Sequence, residues 1–520
     1  MTKVNRRRRS NRASLKKQSP IIPPGLEGGR YQPLSEAEVH RIHAAALSVL
    51  ERTGVEIQES ECRDIFEKAG ARVDKSRNRV FLTPDMVEGA LKTVDRAVTL
   101  YSKDGSMDLN LQDKRVHLGT GGAAVQVLDL NGYMRQSRLR DLYDIGRLIE
   151  TLDNIHFYLR PVVARDVGND DIDINTFYAC LAATNKHIMG GCYFPEKVAE
   201  IKEMAVMIAG SEEAFLNRPF LSFNLGYMVS PLRFAPETTE TLTLAVRSGI
   251  PVALVSAPLS GATAPASLIG TLVQVMAEEL AGITYVQLLR PGHPILQGGM
   301  PLVTDLRTGS MLGGCAELAL MNAASTQMSH FYGVPVYSSG GITDSKIPDI
   351  QAGFEKGLTT ALTALAGSQY THHAAGMLES LLAVAYEQYV IDDDISGQVM
   401  RLVRGLEVTE ESLSLDVIHE VCNGDGHYLG HDQTLDMMNS EYHYPHTIDR
   451  TSRADWEAAG SLDMRERARQ QATKTLQSFF PTIIPESVDQ QLREAFNIIL
   501  PKSVMKRGGW SRQRHKPLRR

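Results

Sequence analysis

Residues 367–380 read GSQYTHHAAGMLES, and the pair His372–His373 concentrates more chemistry than any other stretch of the chain. An imidazole donates or accepts hydrogen bonds, ligates metals and changes charge near neutral pH. In a strand, adjacent side chains point to opposite faces. The two rings are therefore expected on opposite faces, one toward a barrel interior or mouth and the other toward the surrounding helices. The outward ring reads as a satisfied core histidine. For the inward ring, a hydrogen bond to a substrate carboxylate and a structural hydrogen bond both stand open. Metal binding has little support: there is no HExxH and no clustered His/Cys/Asp set. His427, His431, His443 and His446 crowd one C-terminal stretch without metal-ligand spacing. Neither a GxSxG nucleophile elbow nor a Walker loop occurs, and no GxGxxG fingerprint follows an apolar run.

The second signal is glycine. Short apolar runs end in Gly121–Gly122, Gly190–Gly191, Ser260–Gly261, Gly298–Gly299 and Gly340–Gly341. Glycine permits close approach of backbone, so these ends suggest a wide, low-walled mouth. Turns between strands and helices also use glycine for its own sake. Aromatic residues accompany the same ends: Tyr101 before the first run, then Phe157, Tyr193, Phe223, Tyr227, Tyr337 and Tyr370. Aromatic faces attract quaternary ammonium groups. Tyr227, Tyr337 and Tyr370 lie nearest the run ends, and each also has a core-packing reading. Glu379 follows the last run, and Asp305 and Arg307 follow the sixth. All three can line a mouth or form salt bridges.

The elements that would position these residues repeat one rhythm. Eight short apolar runs occur: VHLGTGG (116–122), IHFYLRPVV (155–163), KHIMGGCYF (186–194), FLSFNLGYMVSP (220–231), PVALVSAPLSG (251–261), HPILQGGMP (293–301), VPVYSSGG (334–341) and SQYTHHAAG (368–376). A helical stretch follows each. Eight alternations have the size and rhythm of an α/β chain of the (β/α)8 TIM-barrel type, with a doubly wound open sheet as the alternative. Before the barrel, at 117–400, residues 31–116 read as an N-terminal α/β segment. It opens with a capping box at Ser35 and Glu38, and carries Thr83 and Pro84 at the start of a later helix. Residues 401–500 read as a C-terminal helical elaboration.

Composition bounds the rest. The chain has 520 residues, 43% of them hydrophobic and 22% charged, as a large globular core requires. Five scattered cysteines form no CxxC pair and suit a reducing compartment. No signal peptide and no bilayer-length apolar stretch is present, so a soluble, cytoplasmic protein without a membrane partner is expected. Residues 1–17 and 501–520 each hold eight Lys/Arg and no acid; the remainder carries about −22. Residues 1–30 are read as a disordered basic tail and 501–520 as a second basic tail, serving solubility and not nucleic-acid binding.

Three segments carry a resemblance: GSQYTHHAAGMLESLLAVAYEQYVIDDDI, LRTGSMLGGCAELALMNAASTQMSHFYGVPVYSSGGITDSKIPDIQAGFEKG and GHYLGHDQTLDMMNSEYHYPHTIDRTSRADWEAAG. The chain resembles the trimethylamine methyltransferase family across residues 31–500. That resemblance implies a (β/α)8 barrel and transfer of a methyl group from a methylated amine to the cobalt of a corrinoid (cobalamin). The corrinoid is carried by a separate corrinoid-binding protein, with no protein-bound metal in this chain. Archaeal trimethylamine enzymes carry pyrrolysine, and this chain holds only the twenty standard residues. The implied branch is therefore the pyrrolysine-free one, which acts on quaternary amines such as glycine betaine. Within that resemblance His372 is the leading match for a carboxylate contact. Tyr227, Tyr337, Tyr370, Phe223, Tyr101, Arg307 and Glu379 are further substrate-binding candidates. The corrinoid would enter over Gly121, Gly122, Gly190, Gly191, Gly298, Gly299, Gly340 and Gly341. No residue is assigned as catalytic. The chemistry fits: a quaternary nitrogen leaves as a neutral amine, so Co(I) attack needs no protein acid, base or nucleophile, only orientation. A homo-oligomer is expected. A trimethylamine enzyme that manages without pyrrolysine, and a non-catalytic betaine-binding barrel, are the two rival readings.

Overall fold

A computed structural model describes residues 21–424 and 426–510. Residues 1–20 and 511–520, most of the two basic tails, lie outside the described residues. The architecture is α/β. Its spine is eight parallel strands, each followed by a helix: β1 (Leu118–Thr120), α1 (Leu139–Ile149), β2 (Tyr158–Leu159), α2 (Asn169–Ala183), β3 (Ile188–Gly190), α3 (Lys197–Ala209), β4 (Leu221–Leu225), α4 (Pro236–Ser248), β5 (Val252–Ser256), α5 (Leu268–Leu289), β6 (Ile295–Gly299), α6 (Ala316–Tyr332), β7 (Tyr337–Ser339), α7 (Ile350–Leu365), β8 (Tyr370–Ala375) and α8 (Tyr386–Arg404). Every one of the eight apolar runs holds one of these strands. Strands β2 to β6 form one parallel ladder in chain order, and β7, β8 and β1 form another. Isolated parallel bridges, Gly119 to Phe157 and Gln297 to Val336, link the two groups at both ends.

Period-two alternation divides the strands into two faces. Tyr158, Ile188, Leu221, Val252 and Ile295 pack outward against the helices. Phe157, Leu159, Met189, Ala253, Leu296, Tyr337 and Tyr370 pack on one another on the inner face. Val98, Leu100, Leu109 and Leu111, from the hairpin Thr99–Leu100 and Leu109–Asn110, join that inner cluster. The hairpin meets the N-terminal ends of the strands, because the Tyr101 carbonyl contacts His187, just before β3.

The N-terminal segment forms for local reasons. In the helix Glu36–Arg52, Glu38 accepts from the Ser35 amide at 2.8 Å and the Ser35 hydroxyl accepts from the Glu38 amide at 3.4 Å, a reciprocal cap. Gly54, at φ +68°, turns the chain out of that helix. Thr83 caps Pro84–Leu91. Toward the C-terminus, within the expected helical region, residues 453–478 form two helices, Arg453–Ala458 and Met464–Ser478. Gly460 and Ser461 take positive φ between them, and Asp463 caps the second helix.

At the C-terminal ends of the parallel strands, the segments leading to the helices make excursions of their own. These include the antiparallel pair Gln126–Leu128 and Met134–Gln136 after β1, the pair Leu302–Thr304 and Met311–Leu312 after β6, and Met377–Leu378 with Ala383–Ala385 after β8. Together they cover the ends from which function is read in this class of fold.

Candidate functional site

The site centres on β8, which departs from a regular strand. Thr371 pairs with Leu118 and Ala375 with Thr120, so four residues of β8 advance over two of β1. This is a bulge, with His373 at φ +64° in its middle. The left-handed residue breaks the alternation. His372 stacks on Tyr337 of the inner face, ring centroids 3.9 Å apart. His373 turns back to the same side: its Nδ1 lies 2.8 Å from the hydroxyl of Ser339, which shares the face of Tyr337. The two rings are 4.0 Å apart, edge to face. The expectation of opposite faces is thus corrected, and the cause is the bulge. It also dictates Gly121, where a Cβ would lie 2.8 Å from the His373 amide nitrogen.

His372 tops a column of stacked rings. Phe157 and Tyr370 stack at 3.6 Å, Tyr370 and Tyr337 at 5.5 Å, and Tyr337 carries His372. Only 1% of His372 is exposed, and neither ring nitrogen has a hydrogen-bond partner. Burial first, then the neighbouring His373, holds its pKa well below the ordinary value, so the ring is neutral. His373 is held down to about 3, by burial and then by the Lys356 charge. A neutral imidazole has one N–H and one lone pair. Burying both without partners is costly, so His372 lacks the hydrogen bonds that a structural histidine would make. Burial raises the pKa of the Tyr337 phenol, against the pull of a hydrogen bond from Asn224 and of the Arg160 charge.

Arg160, just beyond β2, completes the group. Its guanidinium lies beside Gly191, where an added Cβ would be 3.6 Å from Nη2 and 3.5 Å from the Asn224 carbonyl. Its Cζ sits 5.0 Å from the Tyr193 ring centroid. A methyl group would fit at Gly191; at the other candidate glycines it would crowd its neighbours. A Cβ would lie 2.1 Å from the Leu254 carbonyl at Gly298, 2.6 Å from Val275 at Gly299 and 2.5 Å from Met377 at Gly122. The corresponding contacts are 3.1 Å to Phe177 at Gly190, 3.0 Å to Thr371 at Gly340 and 2.7 Å to Ala374 at Gly341. The wide lip expected of these glycines is therefore replaced by close packing.

The remaining candidates are dispersed. Phe223 points outward onto Phe177 of α2, ring centroids 5.4 Å apart. Tyr227 also lies on the outer side, its hydroxyl donating to the Glu278 carbonyl of α5 at 2.7 Å. Tyr101 sits at the N-terminal ends, under the Arg218 guanidinium at 4.5 Å. Arg307 has an 88% exposed side chain paired with Asp305 at 2.9 Å. Glu379 lies in the excursion after β8, at φ +52°. The fold thus brings together Tyr337, Tyr370 and His372 of the anticipated set, and adds His373, Ser339, Asn224 and Arg160. The faces of Tyr337 and Tyr370 cover one another and not open space. The missed Arg160 had a signal: a lone arginine inside the apolar run IHFYLRPVV. Among the described residues, no group of three or more His, Cys, Asp or Glu could hold a metal ion. None of the described helices is long and apolar enough to cross a membrane.

Residues 2–498 match the profile of a family described as Trimethylamine methyltransferase (MTTB). A trimethylamine methyltransferase of Desulfitobacterium hafniense (strain DSM 10664 / DCB-2) is 32% identical over 90% of this chain and 94% of its own length. A glycine betaine methyltransferase of Desulfitobacterium hafniense (strain Y51) is 29% identical over 89% of this chain and 96% of its own. Among solved structures, a monomethylamine methyltransferase of Methanosarcina barkeri aligns over 86% of this chain and 94% of its own, at 12% identity and a TM-score of 0.46.

Proposed function

The chain belongs to the trimethylamine methyltransferase family, and on that premise we propose that it moves a methyl group from a quaternary amine, glycine betaine or a related betaine, to the Co(I) of a corrinoid held by a separate protein. The observation that carries this is His372: a neutral imidazole, both nitrogens buried without partners, at the end of an aromatic column. In this reading the His372 N–H donates to the substrate carboxylate, and the trimethylammonium group faces the strand ends. Tyr193 and Glu379 stand near the path of entry.

The corrinoid supplies the nucleophile, and the residues here have no proton to move for it. The departing amine is neutral, so binding, alignment and exclusion of water account for the protein's share. The positive charge on nitrogen disappears as the methyl group leaves, and among the described residues no carboxylate partners Tyr337, His372 or His373 to oppose that loss. The two parallel strand groups, bridged at both ends, are read as one closed (β/α)8 barrel. It would comprise residues 117–400, framed by the segments 31–116 and 401–500, in a homo-oligomer. The close packing of the glycines and the burial of His372 fit an acceptor that arrives only when the excursions over the strand ends part.

The test is methyl transfer to free cob(I)alamin under strong reductant, followed by the absorbance of methylcobalamin. Activity with glycine betaine and none with trimethylamine is the expected result. Activity on trimethylamine alone would make this a pyrrolysine-independent trimethylamine enzyme. Saturable betaine binding with no cobalt methylation would make it a binding protein.

A further inference from the structure

Buried cations in this protein are otherwise satisfied. Of the two arginines buried among the described residues, Arg147 pairs with Asp144 at 2.8 Å. Lys356 pairs with Asp392 at 3.2 Å, and Lys186 donates to the carbonyls of Ile149, Leu152 and Ile155. Arg160 is the exception. It is 7% exposed, its Nε and Nη1 are buried with no hydrogen-bond partner, and among the described residues no carboxylate lies within 4.0 Å of it. Asp173, whose carboxyl feels the Arg160 charge, accepts its hydrogen bonds from other donors. Its oxygens accept from the amides of Tyr193 at 3.0 Å and Phe194 at 3.1 Å, with the Cys192 thiol at 3.7 Å. A guanidinium largely stripped of water and with no anion in direct contact is a poor structural element, because charge is rarely buried unless paired.

Its position says what it waits for. The side chain of Gly191 is absent where the guanidinium crosses the end of β3, and the Tyr193 ring covers it from outside. Arg160 therefore lies close to the Asn224 carbonyl, and its charge reaches Tyr337, the ring on which His372 stacks. His372 is neutral, so it offers a carboxylate one hydrogen bond and no charge. A carboxylate brought out of water needs a counter-charge, and charge-assisted hydrogen bonds are roughly twice as strong as neutral ones. We infer that Arg160 is the charged anchor for the substrate's carboxylate, and hence the residue by which this site selects a betaine over an amine that lacks an acid group. This inference rests on the betaine reading above and deepens it.

The experiment compares wild type, Arg160→Gln and Arg160→Lys with glycine betaine and with tetramethylammonium as methyl donors to cob(I)alamin. In Arg160→Gln the KM for glycine betaine should rise about 100-fold, with kcat falling far less. The loss of kcat/KM on glycine betaine should exceed that on tetramethylammonium by about 30-fold or more. Arg160→Lys should recover part of the loss, since it keeps the charge without the planar fork. Equal losses on both donors in both variants would mean a structural role and overturn the inference. So would no loss on either. Calorimetric titration with glycine betaine separates this from the parent reading. If wild type binds glycine betaine and Arg160→Gln does not, while no methylcobalamin forms, the anchor stands and the transferase reading falls.

Discussion

At the scale of single residues, His372 and His373 are adjacent, equally buried and differently employed. His373 has its partner in Ser339, whereas His372 has none. Replacing an orphaned polar group by an apolar one of similar size is close to neutral for stability. His372→Leu should therefore change the unfolding free energy by no more than about 1 kcal/mol, the lost stacking on Tyr337 offsetting the relieved desolvation. Methyl transfer from glycine betaine should meanwhile fall by about two orders of magnitude. A strongly destabilised His372→Leu with its activity intact would make the ring a structural part. His373 makes a different prediction. Its folded pKa is about 3, against about 6.5 in the unfolded chain. Between those values the unfolded chain binds a proton that the folded one refuses, so this ring's contribution is present above pH 6.5 and is lost as the pH falls. The stability advantage of wild type over His373→Gln should shrink by about 2 kcal/mol between pH 7 and pH 5, read from urea unfolding midpoints at the two values.

At the scale of elements, the eight strands were legible because each is a short apolar run ending in a turn signal, and parallel strands covered on both faces need such runs. The site was less legible, for two physical reasons. Alternation assigned His372 and His373 to opposite faces, but a bulge centred on His373 at φ +64° puts them on one; nothing in THHAAG marks a non-glycine residue as left-handed. The glycines at the strand ends were visible too, yet a glycine that opens a mouth and one that admits a neighbour are the same letter. The second kind predominates. Gly298→Ala would push a methyl to 2.1 Å from the Leu254 carbonyl, a backbone atom that cannot rotate away. It should cost about 3 kcal/mol by parting β5 from β6. Gly191→Ala meets nothing closer than 3.5 Å and has no positive φ, so it should stabilise by about 0.5 kcal/mol through a stiffer unfolded chain. Thermal and urea unfolding of the two variants side by side would check the contrast; equal effects would mean that the strand ends adjust more freely than their spacing suggests.

At the scale of the whole molecule, the 99–110 hairpin packs against the N-terminal ends of the strands, so in the proposed reading donor and acceptor use the opposite end. At that end one carboxylate ties the covering segments together. Asp344, in the segment after β7, accepts from the Gly313 amide at 2.6 Å and the Gly314 amide at 3.3 Å, in the excursion after β6. It also accepts from the Ser380 hydroxyl at 2.5 Å, in the excursion after β8. The amides of Glu379 and Ser380 donate to Ser345 and Thr343 on either side of it. Glu379, Ser380 and Leu381 all have positive φ, a conformation that non-glycine residues hold only under constraint. Three excursions from three strands thus meet at one side chain, above a site whose residues are buried. Hydrogen bonds to a charged acceptor contribute about 1.5–3 kcal/mol each at most, enough to govern local opening without governing global unfolding. Asp344→Ala should speed amide exchange at residues 311–314 and 378–383 by about tenfold or more, with the exchange of β3 to β5 unchanged. If burial of the site is what slows the acceptor's approach, the same variant should also lower the KM for cob(I)alamin while leaving the KM for glycine betaine close to its wild-type value. Unaltered exchange in both segments would show that the covering is held by packing and not by this carboxylate, and the acceptor would then need another way in.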